Sequence, residues 1–360
     1  MDDPYPKNTN NEKKFKTKEI KRELSHNNIQ FKSNPKNIQF SQLVTESYVN
    51  EALDNTFLVF QSIDNNLYLI YTNLDNSIIS YNLLDNKKII EIKNSNYWSY
   101  ITNFRHYKDK KNKRDLVISL SYDNSLKLWN VNNWEILLNI NYINKVGYLY
   151  SACFLNDNEQ IYIVTSNYYL DNDSENIKVF DLKGNIIKYI YFSFNDNTYF
   201  IDSYYDKKCH NNYIIAGNID YVTSYNFNEN KLYHKYDDNS KDHNCLVINE
   251  KNDEVNLIES GEDGNIRIWD FHKGKLMKKI KISNNALYGL SLWNKDYIFI
   301  GCKDKTIKLL DLQNEKVINS LEENNTRVLC IKKIIHHKYG ECLFSQGYGF
   351  NQILLWTNKE

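Results

Sequence analysis

The chain has 360 residues, with 45 Lys and Arg against 45 Asp and Glu and a formal net charge of zero, so no global field steers it toward nucleic acid or an acidic membrane. Its 41% hydrophobic and 14% aromatic content supplies a large core and excludes a wholly disordered polymer. The first ten residues lack the apolar core of a secretion signal, and no later run approaches the ~18 apolar residues of a membrane helix. A soluble, intracellular protein of cytoplasm or nucleus, with no membrane insertion, is expected.

Taken in chain order, residues 1–35 hold all three prolines, Pro4, Pro6 and Pro35, among Lys, Asn and Glu with almost no apolar periodicity. They read as a disordered polar and basic leader. From residue 36 to 360 the pattern becomes short runs of β-branched and aromatic residues, broken every few positions by Asn, Asp or Gly, which predicts an all-β domain. Helical spacing never persists beyond a turn or two.

Self-similarity then fixes the architecture. Ser260-Gly261-Glu262-Asp263-Gly264-Asn265-Ile266-Arg267-Ile268-Trp269-Asp270 reads as a strand end, a tight turn begun by Asp263, and a second strand closing on Trp-Asp. Asp123 to Trp129 and Asp304 to Leu310 repeat the spacing, and Asp75 to Tyr81 matches with Tyr for Trp. Phe180 follows a lengthened turn, while Tyr225 and Trp356 lie in units where Ile219 and Phe350 replace the turn aspartate. The anchors Tyr81, Trp129, Phe180, Tyr225, Trp269, Leu310 and Trp356 therefore recur at intervals of about 40–50 residues, the period of one four-stranded propeller blade.

The order strand, Asp turn, strand, Trp-Asp resembles the WD-repeat family over about residues 37 to 360. That resemblance implies a seven-bladed β-propeller of four-stranded antiparallel blades. Outer strands are expected at Lys88–Lys93, Glu135–Asn141, Lys231–Tyr236, Lys275–Lys281 and Lys316–Leu321. The seventh unit has none, so the run Asn37–Leu43 is expected to supply its missing strand and remove an exposed edge. One departure is the lack of any Gly-His dipeptide, which leaves the family's hydrogen-bonded set of His, Ser/Thr, Asp and Trp incomplete in every repeat.

No catalytic constellation emerges: there is no Gly-x-Ser-x-Gly elbow, phosphate-cradling glycine loop or His-Glu-x-x-His helix. A non-enzymatic chain without cofactor or metal is expected. Cys153, Cys209, Cys245, Cys302, Cys330 and Cys342 are spread singly, which suits reduced core thiols better than a disulfide framework or a zinc ribbon. His336 and His337 adjoin, but neighbours on a strand point to opposite faces and would not share one metal. Asp171 to Asn176 begins like a calcium loop, yet has Asn176 where glycine is needed and Leu182 where the bidentate Glu belongs.

Two surfaces remain as candidates for binding. The rim formed by the Asp turns and the links between blades carries Tyr122, Tyr168, Tyr169, Tyr348 and Phe350 with acids such as Glu262, a combination suited to a partner peptide bearing Lys or Arg. A protein-interaction scaffold within a multiprotein complex is the function this combination implies. The alternative is an RNA- or ribonucleoprotein-associated propeller using a basic insertion, Arg105, Lys108, Lys110, Lys111, Lys113 and Arg114, read as an enlarged loop in the second unit.

Overall fold

The structure, a computed structural model, describes residues 34–49, 57–73, 75–93, 100–141, 148–168, 177–191, 198–240 and 242–358, except for the side chains at 43, 45–49, 167–168 and 350–351. The chain divides into two units, Met1–Lys32 and Ser33–Glu360, and the second holds all the described residues. The expected leader lies outside the described residues as far as residue 33.

Among the described residues, β1 to β28 form seven separate four-stranded antiparallel sheets. Blade one is β2 (Leu58–Gln61), β3 (Leu67–Thr72), β4 (Ile78–Asn82) and β5 (Lys87–Ile92). Blade two is β6 (Ile101–Asp109), β7 (Arg114–Ser121), β8 (Leu126–Asn130) and β9 (Glu135–Ile140). Blade three is β10 (Tyr148–Asp157), β11 (Gln160–Tyr168), β12 (Ile177–Asp181) and β13 (Ile186–Ile190). Blade four is β14 (Thr198–Asp206), β15 (Asn211–Asn218), β16 (Val222–Asn226) and β17 (Lys231–Tyr236). Blade five is β18 (His243–Lys251), β19 (Glu254–Gly261), β20 (Asn265–Asp270) and β21 (Lys275–Lys281). Blade six is β22 (Leu287–Leu292), β23 (Tyr297–Cys302), β24 (Ile307–Asp311) and β25 (Lys316–Leu321).

Blade seven closes the ring. Its strands β26 (Val328–His336), β27 (Gly340–Gly347) and β28 (Gly349–Asn358) come from the end of the chain, and the fourth is β1 (Ile38–Val49). β1 pairs antiparallel with β28, Phe40 opposite Trp356. Sequence reasoning placed this strand correctly but ended it at residue 43, because the later residues carry no alternation that separates them from a link.

Why the blades wrap is visible in the core. Seven apolar clusters each join one blade to the next, including the pair of blades seven and one. Each anchor sits on the third strand of its own blade, and the tryptophans pack with the preceding blade: Trp129 with Leu58 and Ile70, Trp269 with Phe200 and Ile215, Trp356 with Phe299 and Leu309. A buried aromatic of this size contributes about 2–3 kcal/mol on transfer from water, and no single sheet offers a second layer to bury it. The register between third and fourth strands slips at the anchor in every blade, as between Ser80 and Tyr81 or Ile268 and Trp269. The bulge strengthens local twist where the wide side chain must enter the interface.

The aspartates make the turns the spacing predicts. Asp75, Asp123, Asp263 and Asp304 accept the backbone N–H two residues on, from Ser77, Ser125, Asn265 and Thr306 at 2.9–3.2 Å. The intervening Asn76, Asn124, Gly264 and Lys305 have φ between 63° and 73°, a region where Asx chemistry favours the turn. At Gly264 only glycine fits, since a Cβ would stand 2.1 Å from the Ser283 carbonyl oxygen.

Candidate functional site

Each blade runs so that, among the described residues, the start of its first strand, the end of its second and the start of its third lie on one face. We call this the turn face. The opposite face carries the first-to-second and third-to-fourth hairpins. Propeller loops are where side chains are free of the sheets and can meet a partner.

On the turn face the structure gathers Glu262 and Tyr348 into one group around blades five to seven. Tyr348 packs beside Ala286, Tyr288 and Leu329, and the Arg327 guanidinium lies 3.9 Å over its ring and 5.9 Å from that of Tyr288. Asn244 donates to Glu262 Oε1 at 3.3 Å and to the Leu287 carbonyl at 2.8 Å. Burial, with the Glu262 carboxylate adding to it and Arg327 opposing, raises the Tyr288 hydroxyl above its ordinary pKa.

Tyr122 belongs to a second group. It stacks on Tyr148, centroids 3.7 Å apart at 14°, and Tyr150 meets Tyr199 edge-on at 5.9 Å. Lys235 sits 3.9 Å over Tyr221. Tyr122 and Tyr348 were expected at the tips of their turns; both are instead half-buried, because Tyr148 of the next blade covers one face of Tyr122, and the Arg327 guanidinium, at the start of Tyr348's own blade, covers one face of Tyr348. Tyr169 and the side chains of Tyr168 and Phe350 lie outside the described residues.

Sequence reasoning missed Tyr148, Tyr150, Tyr199, Tyr288 and Arg327. A shared signal was present: all stand within three residues of the start of a first strand, where the chain passes from link to inner wall.

Beneath this face, blade five holds a network that the sequence did not disclose. Arg267, with no exposed surface, donates Nε to Asp238 at 2.8 Å and Nη2 to Asp263 at 2.5 Å, with Glu259 at 3.6 Å. Glu259 in turn meets His243 Nδ1 at 2.9 Å. Burial pulls His243 down, but the Glu259 carboxylate outweighs it and holds the imidazole above its usual value. Asp238 is held well below the ordinary carboxylate range: against its burial act Lys279, Ser240 and Arg267. Trp129 and Trp356 donate Nε1 to Ser119 and Ser345 at 2.9 and 2.8 Å. In blade five Glu259 occupies the corresponding place two residues past the anchor's partner, and Trp269 Nε1 finds no acceptor among the described residues.

The basic segment lies on the opposite face and is not an enlarged loop. Residues through Asp109 belong to β6 and those from Arg114 to β7, leaving a four-residue turn. Arg105 donates Nε to the Ala152 carbonyl at 2.7 Å and Nη2 to that of Ile201 at 3.1 Å, spanning three inner strands. Arg114 pairs with Asp109 at 2.8 Å, Lys111 with Glu159 at 2.7 Å, and Lys108 reaches the Ser62 carbonyl at 3.4 Å. Lys110 and Lys113 are exposed. Long strands carry the segment because Phe104, Leu116 and Ile118 continue the core alternation through it. Beside it, Arg105, Tyr107, Phe154, Asn156, Asp202 and Tyr205 line an open concavity.

Among the described residues no group of three or more His, Cys, Asp and Glu side chains is placed to hold a metal ion. His336 and His337 do not point to opposite faces. β26 ends at His336, and the two rings stack at 4.4 Å. Cys330 and Cys342 are buried in the cluster between blades seven and one, and burial pushes the Cys342 thiol up to about 12. Among the described residues, no helix is long and apolar enough to cross a membrane.

These features define a seven-bladed β-propeller. No family model matches the chain. Over 78 residues, 21% of this chain and 9% of the relative, it is 27% identical to the U3 small nucleolar RNA-associated protein 21 homolog of Schizosaccharomyces pombe. The chain thus aligns with under a tenth of that protein's length. Among solved structures it is similar to the computationally designed Ika8 protein, with a TM-score of 0.59 at 13% identity, covering 88% of this chain and 100% of the other. That likeness is one of fold alone.

Proposed function

We propose that the chain is a non-catalytic protein-interaction platform of the WD-repeat kind, which holds partner proteins or peptides on its turn face and needs no cofactor. The observation that carries this reading is the ring of half-exposed aromatics on that face, Tyr122 and Tyr148 on one side and Tyr348 with Arg327 and Glu262 on the other. Aromatic rings already held by stacking lose little side-chain entropy on binding, which is why such residues dominate protein contacts. Glu262 adds a carboxylate that would favour a partner presenting Lys or Arg.

The similarity to a nucleolar RNA-associated protein supports a place in an RNA-processing assembly within the nucleus. Direct contact with RNA is the second reading, and there the exposed Lys110 and Lys113 would act on the opposite face. Affinity purification of the full chain and of a Tyr122→Ala, Tyr348→Ala, Arg327→Ala variant separates them. The platform reading expects partners that survive nuclease and moderate salt and are lost from the variant. Partners retained by the variant but released by nuclease would support the RNA reading instead, since phosphate contacts weaken steeply with salt.

A further inference from the structure

The outer edge of blade three differs from the other outer edges formed by fourth strands. β5, β17, β21 and β25 expose one large apolar side chain each, Ile89, Leu232, Met277 and Val317, and each has a lysine beside it; β9 exposes Ile136, next to Glu135, and β1 exposes Phe40 among its described side chains. β13 and the residue after it expose four: Ile186 at 43%, Ile187 at 48%, Tyr189 at 40% and Tyr191 at 61%. Its one cation, Lys188, is turned away, 4.5 Å over the Phe227 ring of blade four and 3.3 Å from that residue's carbonyl. Ile190 is buried on the same side. Tyr189 and Tyr191, spaced by two, therefore share the other face, and Ile187 is the extra residue of the bulge that interrupts the alternation before them. The Gly184 turn that leads into β13 lies against Leu138 and Ile140 of blade two.

An outer strand presents unpaired backbone N–H and C=O groups, and natural proteins blunt such edges with lysine, proline or inward charge. On blade three the edge lysine, Lys188, is drawn to blade four, and Lys178 of the next strand in is buried, 5.9 Å from the Tyr189 ring. We propose that β13 is a docking edge for a short extended apolar segment of a partner protein, which adds to blade three as a fifth strand and lays alternate side chains on Tyr189 and Tyr191, with Ile187 exposed at the bulge beside them. The area decides between occupants. From the fractional exposures, the four side chains offer roughly 400 Å², so two copies meeting edge to edge would bury about 800 Å², short of the ~1,200 Å² of a stable dimer. A single added strand needs no such area, since main-chain hydrogen bonds supply affinity and the pockets supply selectivity. This edge is separate from the turn face and stands or falls independently of it.

The test uses the full chain and a fluorescein-labelled peptide of alternating Val and Thr with lysine ends, beside the same peptide N-methylated on alternate amides. The plain peptide is expected to bind and to slow hydrogen exchange at the amides of residues 186–191. Ile187→Lys with Tyr191→Lys should weaken it at least tenfold while leaving the melting temperature within a few degrees, and Leu232→Lys on blade four should leave binding unchanged. The N-methylated peptide should not bind. No binding at 1 mM, equal binding by the lysine variant, or protection elsewhere in the chain would overturn the proposal. So would a concentration-dependent dimer, abolished by the lysine pair, in sedimentation, which would assign the edge to a second copy.

Discussion

Arg267 Nε donates to Asp238 Oδ2 at 2.8 Å, and so fastens the link that leaves blade four to the third strand of blade five. The guanidinium is fully buried and also serves Asp263. Removing it leaves Asp238, Asp263 and Glu259 around an empty place, and a buried charge without its partner is far more costly than the pair was stabilising. Arg267→Met is expected to lower the unfolding free energy by about 3–5 kcal/mol, read from urea melts. A loss below 1 kcal/mol would mean that the three carboxylates are relieved by Lys279 alone.

The tryptophan anchors separate packing from hydrogen bonding. Trp129 and Trp356 donate to buried serines, whereas Trp269 Nε1 has no acceptor among the described residues. Replacing each with Phe removes similar volume, but only the first two substitutions leave a buried hydroxyl short of a donor. Trp129→Phe and Trp356→Phe should each cost about 1 kcal/mol more than Trp269→Phe. Equal costs in the three blades would assign the anchors' whole contribution to packing.

A buried histidine makes the ring's closing seam acid-sensitive. His336, 6% exposed and hydrogen-bonded to the backbone of Leu83 in blade one, is depressed by burial, then by His337 and Lys338, to about 4. The unfolded chain takes up this proton near pH 6.5, the folded chain only near 4. Stability from this group is therefore full above pH 6.5 and is lost as pH falls toward 4, by about 3 kcal/mol. The difference in unfolding free energy between the native chain and His336→Asn should shrink by that amount over the same range. A difference independent of pH would contradict the assignment.

At Gly264 the turn has φ +73°, and a Cβ would strike the Ser283 and Asn285 carbonyls at 2.1 and 2.8 Å. Gly264→Ala should cost about 2–3 kcal/mol or more, above the ~1 kcal/mol expected of an unobstructed left-handed residue. Lys305, at the same place in blade six with φ 73°, should tolerate Lys305→Gly with little change or a slight gain. Urea melts of the two variants check both expectations.

Much of this fold could be read from the residues because its signals are local. An aspartate, a residue tolerant of positive φ and an aromatic six positions on define a turn and a strand within one stretch of chain for Tyr81, Trp129 and Trp269; the period locates Phe180, Tyr225, Leu310 and Trp356, and all seven anchors occupy the same place in their blades. The outer strands Lys231–Tyr236, Lys275–Lys281 and Lys316–Leu321 have the bounds the spacing predicts. What escaped is non-local. Arg267, Asp238, Glu259 and His243 come from four different strands and links, and each reads alone as an ordinary surface charge. The cluster Arg105 to Arg114 looked like an exposed loop because its cations are contiguous in sequence, but the strands alternate them between solvent, carboxylates and carbonyl oxygens of neighbouring blades. Tyr288 and Arg327 were hidden for the same reason, since a rim becomes visible only once the ring has brought separate blades together.

The closing contact is the most direct test of the whole arrangement. Gln39 and Thr357 are Cα partners across β1 and β28, so Gln39→Cys with Thr357→Cys, in a chain whose exposed Cys209 is changed to Ser, places two thiols side by side only if residues near both ends share blade seven. Oxidation is expected to give an intramolecular disulfide in monomeric protein and to raise Tm by several degrees, because it closes a loop spanning the entire ring. Free thiols under oxidising conditions, or cross-links formed only between chains, would show that the N-terminal strand does not complete the seventh blade.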